Sequence, residues 1–99
     1  MKNILMDYLS IAKNIVLKHI DVQNYKVFIF GSRAVGNVSK FSDLDIGVIG
    51  TKPLDPRTIF EMEHELEESL VPYKVDIVDF FNVDEAFKKM ALKKIIEWS

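Results

Sequence analysis

Residues 26–50 read KVFIFGSRAVGNVSKFSDLDIGVIG, and the fold turns on whether the two apolar runs in this stretch pair with each other. The first run, Lys26 to Phe30, is short, β-branched or aromatic, apolar at both parities and stopped by Gly31. That is the pattern of an interior strand covered on both faces. The second, Asp43 to Gly50, begins polar and alternating and ends apolar, so it reads as a strand entered from solvent. Between them, Ser32 to Gly36 has room for one or two helical turns. Gly31 and Ser32 lie at the exit of the first strand, whereas Asp43 and Asp45 lie at the start of the second. The two features meet only if the strands run antiparallel, and that is the pairing expected.

Upstream, Met1 to Ile20 sets Ile4, Tyr8, Ile11 and Ile15 along one line and Leu5, Leu9, Ala12 and Val16 beside it, which predicts a helix with a broad apolar face. Downstream, Asp55 before Pro56 is a helix start, an N-cap followed by proline at the first helical position. This helix is expected to reach about Leu70, burying Ile59, Met62, Leu66 and Leu70, with Pro72 closing it. Lys74 to Phe80 (KVDIVDF) is a third strand. Asn82 to Glu85 (NVDE) resembles a capping box and opens a last helix through Phe87, Met90, Ala91, Ile95 and Trp98. The order α-β-α-β-α-β-α predicts an α/β (α+β) domain over residues 1–99, a small sheet of three strands, with room for one more at an edge, covered by helices.

Composition narrows the function. The 99 residues are 48% hydrophobic, enough for one core and too few for a separate substrate domain, so added specificity must come from a partner. A net charge of −2 disfavours a broad grip on nucleic-acid backbone. There is no cysteine, hence no disulfide or thiolate metal site. No signal pattern and no apolar run of about 20 residues are present, and the expectation is a cytoplasmic protein without a membrane partner.

The chemistry gathers in acidic residues. Positions i and i+2 of a strand face the same way, so Asp43 and Asp45 project together. At about 4 Å two such charges repel by roughly 4 kcal/mol at an effective dielectric near 20, a penalty that a cation removes. On the third strand Asp76 has the opposite parity from Val75 and Ile77 and turns to the other face, whereas Asp79 belongs to the strand's end. Three carboxylates suit the oxygen coordination of magnesium or manganese, completed by phosphate and water. No cluster competes, because His19 and His64 are isolated on helices. Gly31 allows close backbone approach, the amides of Gly31 and Ser32 with the serine hydroxyl open the next helix toward an anion, and Arg33 offers a fork for phosphate oxygens. Carboxylate-held metals beside an anion nest form a phosphoryl-transfer apparatus.

Gly31-Ser32, ten intervening residues, Asp43-x-Asp45 and Asp76 on a later strand together resemble the nucleotidyltransferase superfamily that includes DNA polymerase beta. At this length the chain is similar to the minimal nucleotidyltransferases, the MNT antitoxin group, over nearly all of its residues. The resemblance implies a polymerase beta-like palm fold, two Mg2+ ions (Mn2+ as an alternative), ATP as substrate and a HEPN-domain toxin as partner, on which some members place AMP at a tyrosine. By that resemblance Gly31 and Ser32 bind the triphosphate and Asp43 and Asp45 ligate both metals. Asp76 ligates the catalytic metal and helps deprotonate the incoming hydroxyl. One departure is Val35, where many relatives carry a second basic residue, so Arg33 is the only arginine of the loop.

Other readings are weaker. A haloacid dehalogenase-type phosphatase also uses D-x-D, but there the apolar strand precedes the pair. Small-molecule nucleotidyl transfer needs a further domain to shape the acceptor pocket. The alternative that remains is a non-catalytic antitoxin that neutralises its toxin by occlusion. Glu61 to Glu68 (EMEHELEE) and Lys88, Lys89, Lys93 and Lys94 read as solvated faces, and His19 as complementing the end of the first helix. Of Phe80 and Phe81, one should face outward.

Overall fold

The computed structural model describes residues 7–36 and 42–99. Asp7 caps the first helix, α1 (Tyr8–His19), its carboxylate accepting from the Ser10 amide. Met1 to Met6, and with them the expected apolar positions Ile4 and Leu5, lie outside the described residues. Strand β1 (Tyr25–Phe30) leads into the four-residue helix α2 (Ser32–Val35), followed by β2 (Leu44–Gly50), α3 (Pro56–Glu67), β3 (Val75–Asp79), α4 (Glu85–Ala91) and β4 (Ile96–Glu97).

The sheet has the order β3-β2-β1-β4, so the apolar run of β1 is interior as its composition required. β1 and β2 are antiparallel, with Phe30 opposite Asp45 and Tyr25 opposite Gly50. β2 and β3 are parallel, with Asp45 opposite Asp76, and α3 makes the crossover that a parallel pair needs. One face of the sheet carries Val27, Ile29, Leu44, Ile46, Val48 and Ile77 beneath Ala12, Ile15 and Val16 of α1 and Met62 and Leu66 of α3. The other face carries Phe28, Phe30 and Phe80, against which Phe87 and Ala91 of α4 pack. Gly47 leaves room there for the Phe28 and Phe80 rings, which a Cβ would strike.

Two expected helix ends differ. α3 stops at Glu67, and Leu70 is 64% exposed rather than buried. The Ser69 hydroxyl donates to the Leu66 carbonyl and accepts from the Val71 amide, which turns the chain so that Val71 enters the core in place of Leu70. The last helix is capped by Asp84, which accepts from the Phe87 amide, not by Asn82, and it ends at Ala91. Ile95 and Trp98 are not helical: Ile95 packs with the aromatic cluster and Trp98 with the core on the other face. A helix would place these two residues side by side, whereas an extended chain sends them to opposite faces. The open edge of β1 supplies the reason, because Ile96 pairs with Ile29 and the Trp98 amide donates to the Val27 carbonyl. Phe80 is buried and Phe81 exposed, as parity required.

Candidate active site

Register brings the carboxylates together. Phe30, Asp45 and Asp76 form one row across β1, β2 and β3, on the face that also carries the aromatic cluster. The row is where the apolar packing of that face ends and solvent begins. Asp43 precedes β2 with the same parity as Asp45 and is exposed. Burial first, and then the negative charges of Asp76 and Asp43, raise the Asp45 carboxyl above its ordinary value; Lys74 opposes them. Asp45 therefore feels both neighbouring acids. Among the described residues, no three acidic or histidine side chains are drawn tightly enough to ligate one ion as they stand. Lys74 stands beside them, its Nζ lying 3.6 Å from Oδ1 of Asp76. As donors the residues suit a hard divalent cation: all are carboxylate oxygens, and their repulsion is what a cation would relieve.

Gly31 meets this row directly. Its φ of +76° is a conformation that side chains rarely adopt, and a Cβ there would sit 2.5 Å from Oδ2 of Asp45. The glycine thus permits both the turn out of β1 and the contact of backbone with carboxylate. Its carbonyl accepts from the Ala34 and Val35 amides and so starts α2, leaving Ser32 exposed at the first turn beside the acids. The guanidinium of Arg33 turns elsewhere: Nε and Nη2 donate to the Ser42 carbonyl at 3.0 and 2.7 Å, and Cζ lies 4.1 Å from the centre of the Tyr73 ring.

Asp79 is structural, accepting from the Leu54 and Phe81 amides to hold two loops. His19 donates from Nε2 to the Glu65 carboxylate at 2.8 Å, joining α1 to α3, and Lys18 reaches the same carboxylate. Those two hydrogen bonds, Lys18 first, hold Glu65 below the usual carboxylate range. The EMEHELEE face is otherwise exposed, apart from the core residues Met62 and Leu66. Sequence reasoning passed over Lys74 and Tyr73. Lys74 was detectable, since it shares the parity of Asp76. Tyr73 carried no local signal, because its contact with Arg33 is long-range.

A mixed sheet whose β1 exit delivers a glycine-serine turn onto Asp45 of β2, with Asp43 just before that strand and a third acid on the parallel neighbour, defines a nucleotidyltransferase-type domain. Residues 10–97 match the family described as Polymerase beta, Nucleotidyltransferase, and the chain belongs to that family. It is 35% identical over 85 residues to the probable protein adenylyltransferase MntA of Haemophilus influenzae, spanning 86% of this chain and 73% of that protein. Its fold is that of solved toxin-antitoxin structures. A toxin-antitoxin crystal structure with AMP-PNP superimposes with a TM-score of 0.72 at 21% identity, covering 95% of this chain and 73% of that one. The structure of a tri-AMPylated HEPN toxin of Shewanella oneidensis in complex with an MNT antitoxin gives 0.63 at 19% identity, covering 91% and 71%. Among the described residues, no helix is long and apolar enough to cross a membrane.

Proposed function

We propose that this chain is an ATP-dependent protein adenylyltransferase that acts as an antitoxin, transferring AMP to a hydroxyl, that of a tyrosine, on a HEPN-type toxin partner. The observation that carries the reading is the contact of Gly31 with Asp45, opposite Asp76, since it sets an anion-binding turn against the acids where a phosphate must meet a cation. The amides of Gly31 and Ser32 and the Ser32 hydroxyl bind the triphosphate. Asp43, Asp45 and Asp76 would hold Mg2+, as two ions, or Mn2+, and the ions would supply neutralisation of phosphate charge and a lowered pKa of the attacking hydroxyl. In the transfer, the acceptor oxygen forms a bond to the α-phosphorus as the bond to the bridging α,β-oxygen breaks, and pyrophosphate leaves. Asp76, opposite Asp45, takes the hydroxyl proton and passes it to solvent. The 35% identity to a probable protein adenylyltransferase supports the same reaction class.

The ion pair of Lys74 with Asp76 favours a second reading, in which the fold serves as a scaffold that occludes the toxin without transfer. Incubation with labelled ATP, Mg2+ and the toxin, followed by intact mass of both proteins, decides between them. A gain of one adenylate or more on the toxin is expected. An unmodified toxin that is nonetheless neutralised defeats the enzymatic reading.

A further inference from the structure

We infer that Arg33 is a positioning residue of this site, clasping Ser42 and Tyr73 so that the start of β2 is held against the turn after β1. The inference rests on the nucleotidyltransferase reading above. Ser42 is the last residue before Asp43, and its carbonyl accepts both Nε and Nη2 of Arg33. Tyr73 is the last residue before Lys74, whose carbonyl accepts from the Leu44 amide at 2.8 Å. One guanidinium therefore ties together the exit of β1, the start of β2 and the start of β3. Its edge is spent on a carbonyl and its face on a ring, the two uses for which arginine is suited and lysine is not. The Tyr73 ring is itself set by an edge-on contact with Tyr8 at 6.5 Å. The tolerance required is small, because Gly31 approaches Asp45 more closely than any residue with a Cβ could. A loosened β2 start would part the glycine turn from the acids.

A phosphate-binding Arg33 predicts something different. It would act on ATP affinity, Arg33→Lys would raise KM for ATP as the bidentate fork is lost, and Tyr73 would be irrelevant. The test compares Arg33→Lys, Tyr73→Leu, Tyr73→Phe and the Arg33→Lys/Tyr73→Leu double variant. It reads amide hydrogen exchange of residues 42–46 in the protein alone, and kcat and KM for ATP with the toxin. The clasp predicts that Arg33→Lys and Tyr73→Leu each speed exchange in that segment and lower kcat by about tenfold, with KM within about twofold. The double variant should be no worse than the poorer single one, as expected of partners in one contact. Tyr73→Phe keeps the ring and should match the parent. Parent-like exchange and kcat in Arg33→Lys, or a raised KM with Tyr73→Leu silent, overturn the inference. If the parent transfers no nucleotide, the proposed reaction fails on that result, and the exchange measurement alone judges the clasp.

Discussion

The two faces of β2 are built from alternate residues of one short strand, yet they serve opposite ends. Leu44, Ile46 and Val48 face α1 and α3 and are fully buried. Asp45 and Gly47 face the other way, Gly47 beneath the Phe28 and Phe80 rings and Asp45 at the rim where that aromatic packing stops. The core face tolerates no charge, and the site face keeps one only because it reaches solvent at the end of the sheet. A one-residue slip in register would exchange the two and destroy both. Stability and chemistry are thus separable by parity, and substitutions can test that separation.

The largest effect belongs to the site face. Asp45→Asn should lower adenylyl transfer by about 10³-fold, roughly 4 kcal/mol in the barrier, without lowering the stability of the metal-free protein. The pH dependence carries the same message. Because the Asp45 pKa is raised in the folded state, its ionised form costs stability near neutrality. That cost lifts as pH falls through the folded pKa and is gone below the unfolded value. Metal-free melts of parent and Asp45→Asn should therefore converge on acidification, and a variant less stable than the parent at neutral pH would break the comparison.

On the core face, Ile46→Ala should cost about 2 to 5 kcal/mol of stability, read by denaturant melts, while the activity per folded molecule is kept. A comparable loss of specific activity would mean that the faces are coupled. Gly31→Ala tests the boundary between them. Backbone strain of about 1 to 3 kcal/mol should appear in its stability, together with a loss of transfer as the methyl displaces Asp45. Stability and activity both like the parent's would show that the close approach is dispensable. The smallest effect is expected of Lys74→Met, whose ion pair with Asp76 is exposed. Stability should change by less than about 1 kcal/mol, and the Asp45 carboxyl, titrated by NMR, should move further up as the opposing charge is lost.

Much of this was legible in the chain. Alternation within DLDIGVIG and KVDIVDF assigned Asp43, Asp45 and Asp76 to one side, and the requirement that Gly31 meet them gave the antiparallel pairing that β1 and β2 show. The Asp55-Pro56 helix start and the double-sided burial of β1 followed from local chemistry in the same way. These features depend on the strand and helix periods and on capping, which the covalent order of residues carries wherever it folds. Tertiary structure alone decided the rest. Ile95 to Trp98 fits a helix by spacing, but the unpaired edge of β1 draws it into extended pairing. NVDE offers two caps, and packing of Phe87 under the aromatic face accompanies the choice of Asp84. Arg33 reads locally as a phosphate ligand, and only the assembled fold gives its guanidinium the contacts with Ser42 and Tyr73, nine and forty positions away. Open sheet edges and long cationic side chains take whichever partner the assembled fold presents, and no local period encodes that partner.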